Sequence, residues 1–197
     1  MNRAIMALTG AVLAFSLQAG PAAALQSDML DIREPQLQAP ATLNNGQPRQ
    51  SAIPRETVAY SGPHAPGTII ISTKERRLYF VLPGNQAVRY GVGVGRPGFE
   101  WSGTKVVSQK KEWPDWTPPA QMLKRRPDLP RHMDGGLNNP LGARAIYLSG
   151  TLYRIHGSNE PETIGQAVSS GCIRMTNEDV TDLFERVKVG TRVTVMR

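Results

Sequence analysis

The sequence predicts a mainly β domain with one clear α-helix near its C-terminal end, arranged as a sandwich or a barrel-like sheet. Short segments of β-branched or alternating residues recur from residue 67 onwards, with Gly, Pro, Asn and Ser between them. One segment near the end instead carries apolar residues at the spacing of a single helical face. These two observations together favour this fold class.

The first 24 residues have the features of a secretory signal peptide. Arg3 makes the start basic, residues 4–17 are largely apolar, and Ala22-Ala23-Ala24 supplies the small residues of a cleavage site. The apolar run is shorter than the ~20 residues of a membrane-spanning helix. We therefore expect cleavage rather than an uncleaved anchor, and an exported protein of the periplasm or cell wall.

Residues 25–66 form the next segment. They contain six prolines among Gln, Asn and Ser, and they show no sustained period of 2 or 3.6. This composition is typical of a flexible linker. The sequence therefore predicts a linker over 25–66 and a folded domain over 67–197.

The predicted strands of this domain are short. They are residues 67–72, 77–82, 87–95, 104–108, 145–148, 152–156 and 191–195. The fifth and sixth are expected to form a hairpin around Ser149-Gly150-Thr151. Glycines at every second position of 91–95 leave room for another backbone or a ligand. Their spacing is not that of a dinucleotide-binding loop, and no helix follows them.

The predicted helix follows residue 175. Thr176 is a suitable N-cap, and Asp179 lies three residues further on, as in a variant of the capping box. One buried face is predicted from the residues at positions i, i+3, i+4 and i+7, which are Val180, Leu183, Phe184 and Val187. Gly190 is expected to end the helix in the left-handed conformation.

A long loop is predicted over residues 109–144. It contains two Trp, several Pro, a basic cluster at 124–126 and Asp134-Gly135-Gly136. A loop of this length inside a compact domain is usually functional. It is either a lid over a site or a solvated insertion.

The net charge and the single cysteine restrict the partners and the chemistry that the sequence is compatible with. The net charge is +7, and removal of residues 1–24, which carry one Arg and no acidic residue, leaves +6. Export and the absence of a Lys/Arg run longer than three argue against a nucleic-acid partner. Cys172 is the only cysteine, so the chain forms no internal disulfide. An unpaired thiol in an exported protein is either reactive or buried and inert.

The residues suited to chemistry lie between 155 and 175. His156 ends a predicted strand, and Cys172 follows sixteen residues later in a Ser-Ser-Gly-Cys turn. A thiol of pKa ~8.5 is mostly protonated at neutral pH, and the thiolate is the nucleophile. A neighbouring imidazole accepts the proton and returns it to a leaving amine. The pattern predicts Cys172 as nucleophile and His156 as its base.

Two neighbours of Cys172 are further candidates. Arg174 lies two residues beyond it, on the same side if the segment is extended. Its charge either stabilises the thiolate or holds a substrate carboxylate, or it is a surface residue paired with Glu178. Gly171 allows backbone amides beside Cys172 to approach a developing oxyanion. A zinc site needs three or four well-placed ligands, which the three histidines and one cysteine do not offer.

This stretch resembles the active-site motif of the L,D-transpeptidase catalytic domain, the YkuD family. That motif has His-Gly, a spacer, then Ser/Thr-His-Gly-Cys followed by an apolar residue and Arg or Asn. The matching residues are His156-Gly157 and Gly-Cys-Ile-Arg-Met at 171–175. The Asn-Pro-Leu-Gly run at 139–142 also resembles the family, and the resemblance covers 67–197. One departure is Ser170, which stands where the family has a second His.

The resemblance implies a β-sandwich with the cysteine in a pocket under a flap loop, and no metal or organic cofactor. The donor would be a peptidoglycan tetrapeptide stem ending in diaminopimelate and D-Ala. Cys172 would attack the diaminopimelate carbonyl, D-Ala would leave, and the acyl group would pass to an amine. His156 would act as base and acid with its ring oriented by the Gly157 carbonyl. Arg174, Gly171 and Ser170 are the expected substrate-binding residues.

Several partners and functions are compatible with this resemblance. The acceptor is another stem peptide, giving a 3-3 cross-link, or an outer-membrane protein. With water as acceptor, the protein is a cell-wall hydrolase of the L,D-carboxypeptidase type. A catalytically inactive wall-binding module is a further alternative. In each case we expect a monomer that contacts peptidoglycan stem peptides.

Overall fold

The computed structural model describes residues 53–197. The predicted signal peptide at 1–24 and residues 25–52 of the predicted linker lie outside the described residues. In the described part of the chain, no helix is both long and apolar enough to cross a membrane.

Strands dominate the described structure. They are β1 Glu56–Ala59, β2 Ile69–Ser72, β3 Arg77–Leu82, β4 Gln86–Gly91, β5 Val94–Gly95, β6 Gly103–Glu112, β7 Arg144–Leu148, β8 Arg154–His156, β9 Ala167–Ser169, β10 Ile173–Arg174 and β11 Arg192–Met196. The helices are α1 Ala120–Arg125 and α2 Asn177–Arg186, with a 3-10 turn at Pro161–Thr163. Nine strands form one sheet in the order β1-β4-β3-β2-β11-β6-β7-β8-β10, and β5 pairs with β9 in a separate ribbon.

The centre of the sheet joins the early and late parts of the domain. Strand β11 pairs in parallel with β2, so that Val193 lies beside Ile69 and Val195 beside Ile71. Its other edge pairs antiparallel with β6. The residues of β2 are all buried, as expected for a strand covered on both faces.

A single hydrophobic core lies inside the curled sheet. Ile71 and Leu78 from the N-terminal half, and Ile146 and Ile155 from the C-terminal half, are fully buried in the same cluster. Leu183 of α2 packs into it as well. The two halves of the sheet therefore cover one core, and the predicted mainly β fold with one main helix is confirmed.

Helix α2 begins as the sequence predicts. The Thr176 hydroxyl accepts a hydrogen bond from the Asp179 amide at 3.1 Å, which satisfies one of the free donors at the helix start. The predicted apolar face is buried in the core and consists of Val180, Leu183, Phe184 and Val187.

The predicted end of α2 is wrong. The helix stops at Arg186, and Gly190 adopts its left-handed φ of 90° only in the turn that leads to β11. The Lys110 ammonium donates hydrogen bonds to the carbonyls of Phe184 (2.5 Å) and Val187 (2.7 Å). Lys110 of β6 thus provides donors for free carbonyl groups at the C-terminal end of α2, where positive charge is favourable.

The predicted hairpin around Ser149-Gly150-Thr151 is present. Strands β7 and β8 pair antiparallel, with Tyr147 opposite Arg154. Gly150 has a φ of 66°, and the Thr151 hydroxyl donates to the Leu148 carbonyl at 3.0 Å. This turn brings β8 back along β7 and places His156 at the end of the strand.

The ordered sheet begins before residue 67. Strand β1 lies inside the predicted linker and pairs antiparallel with β4, with Glu56 opposite Arg89. These two side chains form an ion pair of 2.5 Å. The residues of β1 are mostly exposed, so no alternation of apolar and polar residues reveals the strand in the sequence. Its pairing partner determines it instead.

The predicted loop at 109–144 is partly regular. Strand β6 continues to Glu112, which pairs with Arg144 at the start of β7. The last residues of β6 are largely exposed and polar, which hides the strand pattern. The remaining segment, residues 113–143, contains the short helix α1 and is called the flap below.

Replacing Thr176 with Ala tests the N-cap of α2. We expect the free energy of unfolding to fall by about 1 kcal/mol, because the Asp179 amide loses its acceptor. Thr176→Ser keeps the hydroxyl and should retain most of the stability. Urea denaturation of the three proteins measures this, and equal losses for the Ala and Ser variants would contradict the capping role.

Candidate active site

Strands β8 and β10 bring the two reactive side chains together. They pair in parallel, with Ile155 beside Ile173 and His156 beside Arg174. Side chains alternate along a strand. Ile155 and Ile173 are buried in the core, while His156 and Arg174 lie on the opposite face. Cys172 comes immediately before β10 and lies on that same face.

This face lines a cavity of about 470 Å³. Cys172, His156, Arg174 and Ser170 all contribute to its wall, so four of the predicted site residues meet there. Arg154, which the sequence analysis did not single out, lines the same wall. The spacing alone contained a signal for it, because Arg154 lies two residues before His156.

The flap forms the facing wall. Its contributions are Trp116, Pro119, Gln121, Met122, Arg125, Pro140 and Leu141. These contacts favour a lid over a solvated insertion. The buried Asn139 side chain fastens the flap, because its amide donates to the carbonyls of Pro114 (3.1 Å) and Asp134 (3.0 Å) and accepts from the Leu141 amide (2.8 Å).

A serine that the sequence analysis overlooked closes the turn before Cys172. The Ser169 hydroxyl donates to the Cys172 carbonyl at 2.6 Å and accepts from the Gly171 amide at 3.1 Å. The Gly171 amide is therefore engaged within the turn. Gly171 does not line the cavity; its contribution is to the shape of the turn.

Only glycine fits at position 171. Its φ is 106°, and a Cβ built there would clash with the ring of Tyr153. Trp101 stacks on Tyr153 with ring centroids 4.8 Å apart, and its indole N–H donates to the Gly171 carbonyl at 2.8 Å. This aromatic pair packs against Gly171 and supports the turn that precedes Cys172. Trp101 lies 70 residues away in the chain, so sequence spacing gave no signal for it.

Ser170 lines the cavity and is held by a buried arginine. The Arg96 guanidinium donates to the Ser170 hydroxyl at 3.1 Å. Arg96 is 7% exposed and stacks over the Phe99 ring at 4.2 Å. Ser170, the position that departs from the family motif, is thus held by Arg96, which itself stacks on Phe99.

His156 is buried and neutral. Its ring Nδ1 lies 2.6 Å from the Gly157 carbonyl, which only accepts, so the proton is on Nδ1 and Nε2 keeps its lone pair. Burial, followed by the charge of Arg174, lowers the pKa of His156 to about 3. The carbonyl of Gly157 therefore fixes the tautomer that leaves a basic nitrogen available.

Cys172 is half-buried and also uncharged in the resting state. Burial raises the pKa of its thiol, and the nearby charges of Arg154 and Arg174 offset this only in part. The Sγ atom lies 4.0 Å from the Leu152 carbonyl. The site therefore holds a thiol and a neutral imidazole rather than a thiolate–imidazolium pair.

Arg174 is paired with a different acid from the one considered above. Its guanidinium donates to Glu160 at 3.0 Å, and both side chains are mostly buried. Pairing with Glu178 on the surface is wrong, because Glu160 reaches Arg174 through the loop that follows β8. Among residues 53–197, no three His, Cys, Asp or Glu side chains cluster as a metal site requires.

A comparison with models of protein families matches the L,D-transpeptidase catalytic domain (YkuD) to residues 66–195. The chain belongs to the L,D-transpeptidase catalytic domain family. The resemblance of the His-Gly and Gly-Cys-Ile-Arg-Met residues is thereby confirmed at the level of the whole domain.

Similar proteins agree with this family assignment. The Escherichia coli protein described as "Probable L,D-transpeptidase ErfK/SrfK" is 41% identical over 137 residues, which cover 65% of this chain and 43% of that protein. The chain therefore spans less than half the length of this curated relative. An L,D-transpeptidase from Mycobacterium smegmatis has the same fold, with a TM-score of 0.54, 16% identity and coverage of 66% of this chain and 58% of the other.

A crystal structure from Brucella melitensis is also similar. It is 44% identical, has a TM-score of 0.51 and covers 75% of this chain and 96% of its own. That protein is described as a "Probable carnitine operon oxidoreductase caia". This description names a different reaction from those of the L,D-transpeptidase relatives. The residues of the site therefore decide between the two reactions.

Gly171→Ala tests the aromatic support of the Cys172 turn. We expect a loss of unfolding free energy larger by at least about 1 kcal/mol than in Gly84→Ala, because overpacking against a rigid ring costs about 1–3 kcal/mol. Gly84 has a φ of 75°, and nothing lies within 4 Å of the position that a Cβ would take there, so it controls for backbone strain alone. Equal losses in guanidinium denaturation would contradict the role of Tyr153.

The low pKa of His156 predicts acid sensitivity. The unfolded chain binds a proton at this residue below about pH 6.5, whereas the folded protein does so only near pH 3. Stability from this group is therefore complete above pH 6.5 and falls by about 1.4 kcal/mol per pH unit below it. In His156→Gln this loss is absent. Urea denaturation at pH 7 and pH 4.5 should show the stability difference between the two proteins shifting in favour of the variant at low pH.

Proposed function

We propose that the protein is a peptidoglycan L,D-transpeptidase, a cysteine acyltransferase with Cys172 as nucleophile and His156 as general base and acid. The observation that carries this proposal is the placement of both side chains on one cavity wall, with the imidazole tautomer set by Gly157. Membership of the L,D-transpeptidase catalytic domain family supports the same reaction class.

The first half of the reaction forms a thioester. The Cys172 sulfur attacks the diaminopimelate carbonyl of a tetrapeptide stem while its proton passes to Nε2 of His156. The C–N bond to D-Ala then breaks, and the imidazolium returns the proton to the leaving amine. Because burial makes the imidazolium a strong acid, this protonation is favourable.

The second half transfers the acyl group. An amine acceptor attacks the thioester while Nε2 of His156 takes one of its protons; the new C–N bond forms, the C–S bond breaks, and His156 passes that proton to the Cys172 sulfur. A stem peptide as acceptor gives a 3-3 cross-link, and an outer-membrane protein gives protein attachment. Flap residues line the cavity, and exclusion of water from it by a bound donor would favour aminolysis over hydrolysis.

The glycine-rich segment 91–95 argues against the oxidoreductase activity named for the Brucella protein and is compatible with acyl transfer. Gly91, Gly93 and Gly95 lie within or beside strands β4 and β5 and not at a strand-to-helix turn. A Cβ at Gly93 would lie 3.1 Å from the Thr163 carbonyl and 3.2 Å from Arg174. These glycines admit neighbouring protein groups and do not form a dinucleotide-binding loop.

An exported enzyme of the periplasm or cell wall is consistent with this substrate. The basic character of the chain favours stem peptides, which carry free carboxylates. A peptidoglycan hydrolase of the L,D-carboxypeptidase type uses the same thioester with water as acceptor. An inactive wall-binding module would leave the thiol unused.

Incubation with a purified disaccharide tetrapeptide distinguishes these functions. Mass spectrometry should show dimers that have lost one D-Ala; monomers that have lost D-Ala would indicate hydrolysis instead. Cys172→Ala should abolish both products, and His156→Ala should lower the rate at least ~100-fold, the smaller end of general base contributions. His64→Ala, which changes a histidine outside the cavity, serves as the matched control.

Thermal melts of these variants must match the wild type for the comparison to hold. Retention of substantial activity by Cys172→Ala would remove this residue as nucleophile. A wild-type protein that binds the stem but neither releases D-Ala nor forms a covalent adduct would instead be a binding module.

A further inference from the structure

We propose that Arg154 forms a subsite for the terminal carboxylate of the residue that leaves the acyl donor. The inference rests on the acyl transfer proposed above and deepens it, because it assigns the group that selects a C-terminal residue for release.

The position of Arg154 fits this role. It begins β8, two residues before His156, and the β8–β10 register places it level with Cys172. Its side chain lies on the cavity wall with those two residues. The guanidinium rests 5.3 Å above the ring of Tyr147, its cross-strand neighbour on β7, which limits its freedom.

The charge of Arg154 has no acidic partner among residues 53–197. Arg174, the next arginine on the same wall, is neutralised by Glu160 at 3.0 Å. No described Asp or Glu lies within ion-pair distance of Arg154, and its buried Nε has no hydrogen-bond partner in this part of the chain. A half-buried cation that faces a cavity without a counterion is suited to bind an anionic ligand.

The chemistry of the donor identifies which carboxylate this is. Consecutive residues are about 3.8 Å apart, so the carboxylate of the leaving residue is the acidic group nearest to the attacked carbonyl. The other carboxylates of the stem lie further along side chains or an additional residue away. Arginine binds a carboxylate through two parallel hydrogen bonds, which fix both position and orientation.

This subsite would limit cleavage to the last residue of the donor. A stem extended by one residue presents a neutral amide at the position of the carboxylate and leaves Arg154 unpaired. The same contact holds the departing amine close to His156, which must protonate it.

The test compares a tetrapeptide donor that has a free C-terminal acid with the same donor as a C-terminal carboxamide. Hydrogen bonds to charged groups contribute about 1.5–3 kcal/mol, which corresponds to a ~10–100-fold preference in kcat/KM for the acid. Arg154→Gln should reduce this acid-to-amide ratio to near one by lowering activity on the acid. Arg154→Lys should restore part of it. Lys105→Gln, which removes a positive charge outside the cavity, should leave the ratio unchanged.

A second readout separates binding from thiol activation. Iodoacetamide alkylation of Cys172 should shift to higher pH in Arg154→Gln, because the charge of Arg154 lowers the pKa of the thiol; this effect lowers activity on both donors equally and leaves their ratio to report the carboxylate contact. Equal losses on both donors, which leave the ratio unchanged, would overturn the inference, because Arg154 would then act only on the thiolate.

Calorimetric titration of the Cys172→Ala protein tests the subsite without turnover. The acid should bind at least ~10-fold more tightly than the carboxamide, and Arg154→Gln in this background should remove the difference. Equal binding of both peptides would overturn the subsite even if the wild type transfers acyl groups. If the protein binds the acid more tightly than the carboxamide but the wild type shows no turnover, the subsite stands and the proposed transferase activity is rejected.

Discussion

The parallel pairing of β8 and β10 is the constraint on which the site depends. It fixes one residue from each strand in the core, Ile155 and Ile173, and thereby fixes their neighbours on the opposite face. A shift of β10 by one residue would turn Ile173 outward and Cys172 towards the core. The apolar packing of two short strands therefore determines the positions of His156 and Cys172. The same β8–β10 register therefore sets both the packing of the core and the arrangement of the site residues.

The electrostatics of the cavity favour neutral groups at rest. Burial raises the pKa of Cys172 and lowers that of His156, so neither carries charge before substrate binds. This arrangement makes the imidazole a weak base and its protonated form a strong acid. It suits a reaction in which expulsion of the amine is more demanding than attack by a nucleophilic sulfur. An idle thiol with little thiolate character is also protected from oxidation.

Local patterns in the sequence were sufficient for part of this structure. Alternation and β-branched runs identified most strands, and the Thr176 cap and apolar face identified α2, because these features depend on neighbours along the chain. The motif predicted Cys172 and His156 as a catalytic pair, and the structure places both side chains on one cavity wall. Contacts between distant segments were not accessible: Trp101 meets Gly171, Arg96 meets Ser170, and Lys110 ends α2. Strand β1 is defined only by β4, and Arg174 pairs with Glu160 because the loop after β8 folds back towards it.

The central place of β11 has a consequence for how this domain is made. The last strand is inserted between β2 and β6, so the two halves of the sheet meet only through residues 192–196. Until β11 takes its place, each half has an unpaired edge that can associate with other chains. Contacts between segments so far apart in the chain also form slowly. The two halves of the sheet can therefore join only after residues 192–196 are available, and until then both edges need protection from other chains.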